Sequence, residues 1–512
     1  MKRLVIGVLA CFSLVTPARG ADPQPAPVAL ELGTLADGTY SRAWTLNDSG
    51  QVVGFSTVSP GPPMSLGVPF HPFSWTRAGG MIDLGTLGGR FGAMATAVNG
   101  AGQVVGTSWT PDDGFHPFSW TPAGGMIDLG SLGGLYASAA GVSSSGQVFG
   151  SSDTATGEQH IFSWTPAGGM IDLGTLGGTF AYAAAVSKTG EVVGGSSLPG
   201  CCNEHAFLWT QVDGMIDLGT LGGTYGAASA VNDQGDVVGF SNVAGDAETH
   251  PFLWTKADGM VDLGTFGGPI GFAGAVSASS QIVGSSLTAT GEWHAFSWTP
   301  TGGMVDLGTL GGMNSLAFAL SDAGQVVGQS DTPSGFQQGF LWTPSGGMVS
   351  LATLPNTSSE AVAINARGQI VGSRGVAPFT SPDDETHAML WELSPPFVTV
   401  SIDIKPGSSE NTINLHSHGV VPVAILSDAS FDATHVDAST VTLADASVRI
   451  EGNGRPMAEV RDVNGDGRPD LVVNVETDAM TLAASDVTAT LTGRTLAGLN
   501  IQGSDIVRLL RP

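Results

Sequence analysis

The sequence predicts an all-β protein: a β-propeller of about eight four-stranded blades, followed by a small immunoglobulin-like β-sandwich. Three observations predict it. A repeat fills residues 30 to 391, with the last tryptophan of each unit at Trp75, Trp120, Trp164, Trp209, Trp254, Trp298, Trp342 and Trp391, at intervals of 45, 44, 45, 45, 44, 44 and 49 residues. Each unit divides into four short apolar segments separated by turn chemistry, which is the pattern of an all-β blade, and a period of this size marks propellers and related arrays. Only 12% of residues are charged and 75 are glycine, a composition of many tight turns and little helix. A right-handed β-solenoid is the runner-up architecture, although its coils are usually shorter.

The chain opens with MKRLVIGVLACFSLVTPARG, which has two basic residues, a short apolar run and small residues at Ala18 and Gly20. This reads as a secretory signal peptide over residues 1–20. Its apolar run is too short to span a bilayer, and no later stretch is apolar for long enough to cross one. Removing it takes away Lys2, Arg3 and Arg19 and moves the formal charge from −27 to −30. So acidic a surface repels nucleic acid and anionic lipid and suits cations, neutral glycans or solubility alone. The expected product is a secreted, extracellular monomer, at the cell surface or in the periplasm, without nucleic-acid partners. Cys201 and Cys202 remain as an adjacent pair that an oxidising compartment could close into a strained disulfide.

Within a repeat the first segment is MIDLGTL, ended by Gly-Gly, and the second is the Ala-rich stretch to Val-Asn. The third is GQVVG and the fourth is HPFSWT, followed by a PAGG turn. Between the second and third stand Asn47-Asp48-Ser49-Gly50, Asn99-Gly100-Ala101-Gly102 and their counterparts. Asn or Ser first and Gly fourth is a type I turn, with the side-chain oxygen bonding the backbone two residues on. Ser277-Ala278-Ser279-Ser280 lacks the glycine, so that hairpin is expected to be looser. In HPFSW, His, Phe and Trp at i, i+2 and i+4 share one strand face, and the aromatic stripe reads as core. Because the array starts at Leu30-Glu31-Leu32-Gly33 and stops just after Trp391, the N-terminal strand is expected to complete a blade with the C-terminal ones and close the ring.

The recurring HAF-x-W, as in His205-Ala206-Phe207-Leu208-Trp209, together with GQVVG and LGTLGG, resembles the HAF family of bacterial extracellular repeats. The resemblance covers about 360 residues and implies secretion and tandem β units, with no activity to carry over. Unit seven departs, with Gln338-Gly339-Phe340 in place of His-x-Phe.

Residues 392–396 form a proline-bearing linker, and 397–512 read as a separate β domain with strands in FVTVSIDI, VVPVAIL, STVTL, DLVVNV and VTATLTG. SIDIKPGSSENTINL followed by VVPVAIL resembles a C-terminal module of many secreted bacterial proteins. Inside it, Asp462, Asn464 and Asp466 supply oxygens at positions 1, 3 and 5 of a loop, with Gly467 at 6 and Asp470 at 9. This is a calcium-loop pattern, in which Arg468 could offer its backbone carbonyl. Position 12 is Val473 rather than the glutamate of an EF-hand, so the loop is similar to dockerin and integrin-repeat variants. Asp470 or a remote acid such as Glu459 would complete the shell. Calcium is the expected cofactor, in a structural role; the bland reading is an acidic turn.

Three repeated sets invite chemistry. The histidines (His71, His116, His160, His205, His250, His294 and His387) cannot reach one metal, because equivalent positions on packed sheets are about 10 Å apart while zinc–nitrogen bonds are about 2.0–2.1 Å. Hydrogen bonding within each blade is the better account. The acids Asp83, Asp128, Asp172, Asp217, Asp262 and Asp306, with Glu31 first and Ser350 replacing the last, could line a channel as general acids, or bond backbone amides at a strand end. The aromatics after Gly-Gly (Tyr40, Phe91, Tyr136, Phe180 and Tyr225, with Ile270 and Asn314 later) could stack on a sugar or fill the space between blades. No catalytic signature such as GxSxG, HExxH or a phosphate loop is present, and no catalytic residue is assigned.

The sequence therefore reads as a non-enzymatic binding or surface-associated protein. Its propeller would present the variable loops 55–70, 195–204 and 373–386 to a glycan or surface protein, because loops on a rigid scaffold carry recognition. The alternative is a glycan hydrolase or lyase with acids at the channel mouth, and a purely structural envelope protein is a third reading.

Overall fold

The computed structural model describes residues 27–59, 69–200, 203–351, 357–375, 386–393, 397–408, 410–415, 418–428, 430–482, 487–496 and 499–510. The expected signal peptide, the Cys201–Cys202 pair and most of the 373–386 loop, with Asp383, Asp384 and Glu385, lie outside the described residues, as does the middle of the 55–70 loop. The chain divides into two compact units, residues 1–393 and 394–512. It is all-β, and among the described residues the one helical element is a single 3₁₀ turn, Ala433–His435.

In the first unit β1 (Val28–Glu31) stands apart from β2 (Ser41–Leu46), β3 (Val52–Thr57), β4 (Phe70–Thr76) and β5 (Gly80–Asp83), which pair antiparallel in that order. Each of the next six repeats lays down the same succession, and the last lays down three strands. β1 pairs antiparallel with His387–Glu392, Val28 opposite Glu392 and Glu31 opposite Met389, so the first strand of the array completes the last sheet. This is the arrangement of a β-propeller.

The valine pair of GQVVG explains how the sheets stack. Successive strand residues point to opposite faces, and Val52 and Val53 are both fully buried. Val53 packs with Val104 of the next repeat, Val193 with Val237, Val238 with Ile282, and Val283 with Val326. Val371 of the last repeat then packs with Val52 of the first, in one cluster with Ala43, Phe73 and Leu390. The succession therefore closes on itself. The phenylalanines of HxF (Phe73, Phe118, Phe162, Phe207, Phe252 and Phe296) and Phe340 at the same place in unit seven are each 0% exposed and fill these layers. The stripe expected from HPFSW is core at the Phe and near it at the Trp, while the His is half-buried.

The first strands of seven of the eight repeats line a central cavity of about 640 Å³, whose wall includes Leu46, Val98, Val142, Val186, Leu320 and Ile364. At one end lie the type I turns. Gly50 N donates to Asn47 O (3.0 Å), and Asn47 Oδ1 accepts from Ser49 N and Gln51 N. The Asn47 amide Nδ2 donates to Asn99 O (2.9 Å), Asn99 to Ser143 O (3.2 Å), and Asn365 to Asn47 O (3.1 Å), so the turns are stitched to one another across the ring closure. The hairpin without glycine is no looser. Ser280 takes the left-handed conformation itself (φ 58°) and keeps the Ser280 N to Ser277 O bond at 3.1 Å. Its hydroxyl also donates to Asp236 at 2.6 Å, a bond no glycine could make.

The second unit packs two sheets on one core. Phe397–Thr399, Asn500–Ile506, Thr488–Thr495, Val436–Leu443 and Ala446–Ser447 form one; Ile402–Ile404, Val420–Ile425, Asp470–Glu476 and Ala458–Arg461 form the other. Ile404, Val423, Val441, Leu443, Val473, Val475, Leu491 and Ile501 share the buried cluster between them. The expected single strand FVTVSIDI is two strands, one in each sheet.

Candidate functional site

The repeated histidines and acids prove to be one device. Each His is aligned by its strand so that Nδ1 faces the acid twelve residues on, in the neighbouring fourth strand. The distances are 2.8 Å for His71–Asp83, 3.0 Å for His116–Asp128, 2.8 Å for His160–Asp172, His205–Asp217 and His250–Asp262, and 2.7 Å for His294–Asp306. The same carboxylate accepts the amide of the glycine two residues later, as from Gly85 to Asp83 and from Gly219 to Asp217, both 2.8 Å. These acids stand on the strands furthest from the cavity-lining first strands, so they supply no acid to the channel. In the last sheet Glu31 of β1 takes the acid's place, touching both His387 and Arg374. Unit seven exchanges both partners together: the Ser350 hydroxyl donates to Gln338 Oε1 at 2.7 Å.

The end of the first strands opposite the turns is different in kind. There the residues after Gly-Gly bridge in parallel to the start of the preceding repeat's third strand, Tyr136 to Phe115 and Tyr225 to Glu204. Aromatic rings gather along this crossing, both within repeats and, as at Phe115 and Tyr136, between them. Phe115 and Tyr136 lie 4.9 Å apart, Phe180 and Tyr182 5.8 Å, Tyr225 and Phe240 6.0 Å, and Phe272 stacks on Trp293 at 5.7 Å. The expected aromatic set divides. Tyr40 is 3% exposed and fills the closure with Phe55 and Phe70, Phe91 and Tyr225 are half-buried, and Tyr136 and Phe180 stand 41% and 40% exposed. Phe272, outside that set, is 37% exposed on the same rim.

Two glutamates interrupt the rim. Glu360 meets Arg42, whose Nε donates to Oε1 at 2.8 Å, and the guanidinium lies 5.4 Å over Trp44. Among the described residues Glu204 meets no cation; it lies against the hydroxyls of Tyr182 and Tyr225. Its side chain folds over Gly195, where a Cβ would fall 2.1 Å from Glu204 Oε1 and 2.8 Å from the Tyr182 ring. Burial pushes the Glu204 carboxyl above the usual carboxylate range, against the opposing pull of the two tyrosine hydroxyls. Burial, and then the Glu204 charge, raise both tyrosines. Sequence reasoning missed this cluster. Its signal is visible only when repeats are aligned on their strands: the place before His carries Phe70, Phe115, Gln159, Glu204, Thr249, Trp293, Gln337 and Thr386, so a carboxylate occurs once.

In the second unit the expected calcium ligands divide. Asp462 accepts the amides of Gly465 (2.8 Å) and Gly467 (2.9 Å), Asn464 that of Asp466, and Asp466 that of Arg468, all in one exposed loop. Asp470 turns inward instead. It is 0% exposed, and its two oxygens accept from Ser427 N (2.8 Å) and Val463 N (2.9 Å). Among the described residues no group of three or more His, Cys, Asp or Glu side chains gathers as a metal site. Asp470→Ala is expected to destabilise the second unit by about 3 kcal/mol, since two buried amides lose a charged acceptor; chemical denaturation of the full chain followed by hydrogen exchange of Leu471–Val475 measures it.

No known protein family matches this chain by sequence, and no curated protein does. Similar solved structures include the β-propeller domain of the Trilobed protease from Pyrococcus furiosus, at 8% identity and a TM-score of 0.42, over 63% of this chain and all of that one. A puromycin-hydrolysing peptidase from Mycobacterium tuberculosis matches at 14% identity and a TM-score of 0.41, over 77% of this chain and 65% of that one. An Aleuria aurantia lectin matches at 11% identity and a TM-score of 0.25, over 62% of this chain and 98% of that one.

Proposed function

We propose that this chain is a secreted, non-enzymatic glycan-binding protein, an eight-bladed propeller joined to an immunoglobulin-like sandwich. The observation that carries the reading is the aromatic rim. Tyr136, Phe180 and Phe272 keep 37–41% of their surface open although each packs on a half-buried aromatic neighbour, Phe115, Tyr182 and Phe240 respectively. Exposed rings held rigid by other rings offer flat apolar faces at low entropic cost, which suits the apolar face of a sugar. The acidic chain, at −27, disfavours nucleic acid and anionic lipid as the ligand. Phe180→Ala and Tyr136→Ala are each expected to weaken binding about tenfold without moving the unfolding midpoint, read by calorimetry against glycans selected from an array. An array without hits would sink the reading.

One observation favours a second reading, a glycan hydrolase or lyase: Glu204 is a carboxyl of raised pKa between two tyrosines. Product release from a polysaccharide panel, abolished by E204Q, would establish it.

The second unit is read as calcium-stabilised. Asp462, Asn464 and Asp466 bring hard oxygen donors into one loop, with the Arg468 carbonyl beside them, and the loop is already shaped, with Gly465 and Gly467 at φ 77° and 86°. Asp470 fits that set poorly, because both its oxygens hold amides. Saturating calcium is expected to raise the unfolding midpoint of this unit by the equivalent of about 2–3 kcal/mol at a hundredfold excess over Kd, and D462A to remove the rise. An unchanged midpoint in the full chain would reject calcium.

A further inference from the structure

The two rim glutamates pose the same physical problem and solve it differently. A half-buried carboxylate is costly unless a cation or a full set of donors meets it. Glu360 has Arg42, supplied by the equivalent place in the next repeat. Glu204 has only the two tyrosine hydroxyls against it, and its Oε1 is buried without a hydrogen-bond partner among the described residues. Among the described residues no Lys, Arg or His acts on it. A carboxylate and two phenolic oxygens thus converge with a net negative charge, and the rings of Phe180, Tyr182 and Tyr225 stand around them. Tyr182, Gly195 and Glu204 occur together in no other repeat. At the place of Tyr182 the others have Arg42, Met94, Ser138, Ala227, Phe272, Leu316 and Glu360, and at the place of Gly195 they have Phe55, Thr107, Ser151, Phe240, Ser285, Gln329 and Ser373. The glycine is what lets the carboxylate lie down beside the tyrosine.

We infer that Glu204, Tyr182 and Tyr225 form a subsite for a primary ammonium group, and that the glycan bound at the aromatic rim is an amino sugar rather than a neutral one. This rests on the glycan-binding reading above. An ammonium carries three donors and a full charge, so it can satisfy a carboxylate and two phenolic oxygens at once, whereas a sugar hydroxyl leaves the charge unmatched. Aromatic faces beside the carboxylate add cation–π attraction, strongest where water is partly excluded. The strongly acidic chain draws cations toward every part of its surface and so supports the same ligand class.

The test uses the full chain, calorimetry, and two probes: a β-1,4-linked glucosamine oligomer and the same oligomer fully N-acetylated, at about pH 6 where a free amine is protonated. The wild-type chain is expected to prefer the glucosamine oligomer by about tenfold or more, and E204Q to reduce that preference to about twofold or less. Tyr182→Phe, which keeps the ring and removes the oxygen, should reduce it by a smaller factor; unfolding midpoints confirm that both variants are folded. The preference should also fade as the solution is made more acidic, because Glu204, held above the usual carboxylate range, loses its charge first. Equal binding of both oligomers, with Phe180→Ala weakening each alike, would overturn the ammonium subsite and leave glycan binding standing. Binding of neither would overturn both. A preference that survives E204Q would place the ammonium elsewhere and overturn the assignment.

Discussion

Gly54→Ala is expected to destabilise the propeller by about 3 kcal/mol or more, while Gly100→Ala stays within about 0.5 kcal/mol. A Cβ at Gly54 would stand 1.9 Å from the carbonyl oxygen of Arg42 and 3.1 Å from Ala43 Cα, all backbone atoms that no rotamer change can move aside. At Gly100, nothing lies within 4 Å. The collision recurs at Gly150 against Ser138 O, Gly194 against Tyr182 O, Gly284 against Phe272 O and Gly372 against Glu360 O, at 1.9 to 2.0 Å. Each of these glycines faces a β-bulge, where the register slips between Ala43 and Thr45 and their counterparts and the first strand bends toward its partner. The second glycine of GQVVG is therefore required by backbone approach, and denaturant midpoints of the two variants separate that account from a general intolerance of substitution.

Removing β1 by starting the chain at Gly33 is expected to cost more than any single side chain, because one deletion strips three kinds of support from the last sheet. Leu32, 7% exposed, leaves the closure cluster it shares with Val52, Val371 and Leu390, a loss of about 2–5 kcal/mol on its own. His387–Glu392 loses its antiparallel partner and becomes an open edge. Glu31 goes too, leaving His387 and Arg374 without their acid. Hydrogen exchange should report the result locally: amides of Ala388 to Trp391 lose protection first, with those of Val237–Val243 changing little. Uniform loss of protection around the array would instead mean that closure stabilises every sheet equally.

Much of this architecture was legible because repetition multiplies a weak local signal. One GQVVG is ambiguous between strand and buried helix, but its recurrence with an Asn-x-x-Gly turn before it and an HxFxW after it leaves only a strand with both faces covered. Closure by β1 could be anticipated because Leu30-Glu31-Leu32 continues a unit that otherwise lacks its fourth strand. The candidate chemistry was less legible. His and Asp appeared as separate columns of candidates, and the exchange of Gln338 with Ser350 looked like two unrelated departures until the strands put them face to face. Glu204 escaped notice because its partners, Tyr182 and Tyr225, lie in the preceding and following segments of the chain, and each alone resembles an ordinary strand residue.

The second unit divides along the same line. Its apolar alternation and the oxygen-rich loop at 462–470 are written in local order. That FVTVSIDI leaves one sheet for the other near Val400, and that Asp470 buries its carboxylate against Ser427 and Val463, depend on what lies across the core. By itself, then, the sequence determined the strands, the turns, the glycines and the repeat that stacks them, since each follows from periodicity two and from backbone conformation within a few residues. Tertiary structure alone decided which polar groups meet. Pairing energies depend on distance and burial, and both are set by strands that the chain brings together from tens to hundreds of residues apart.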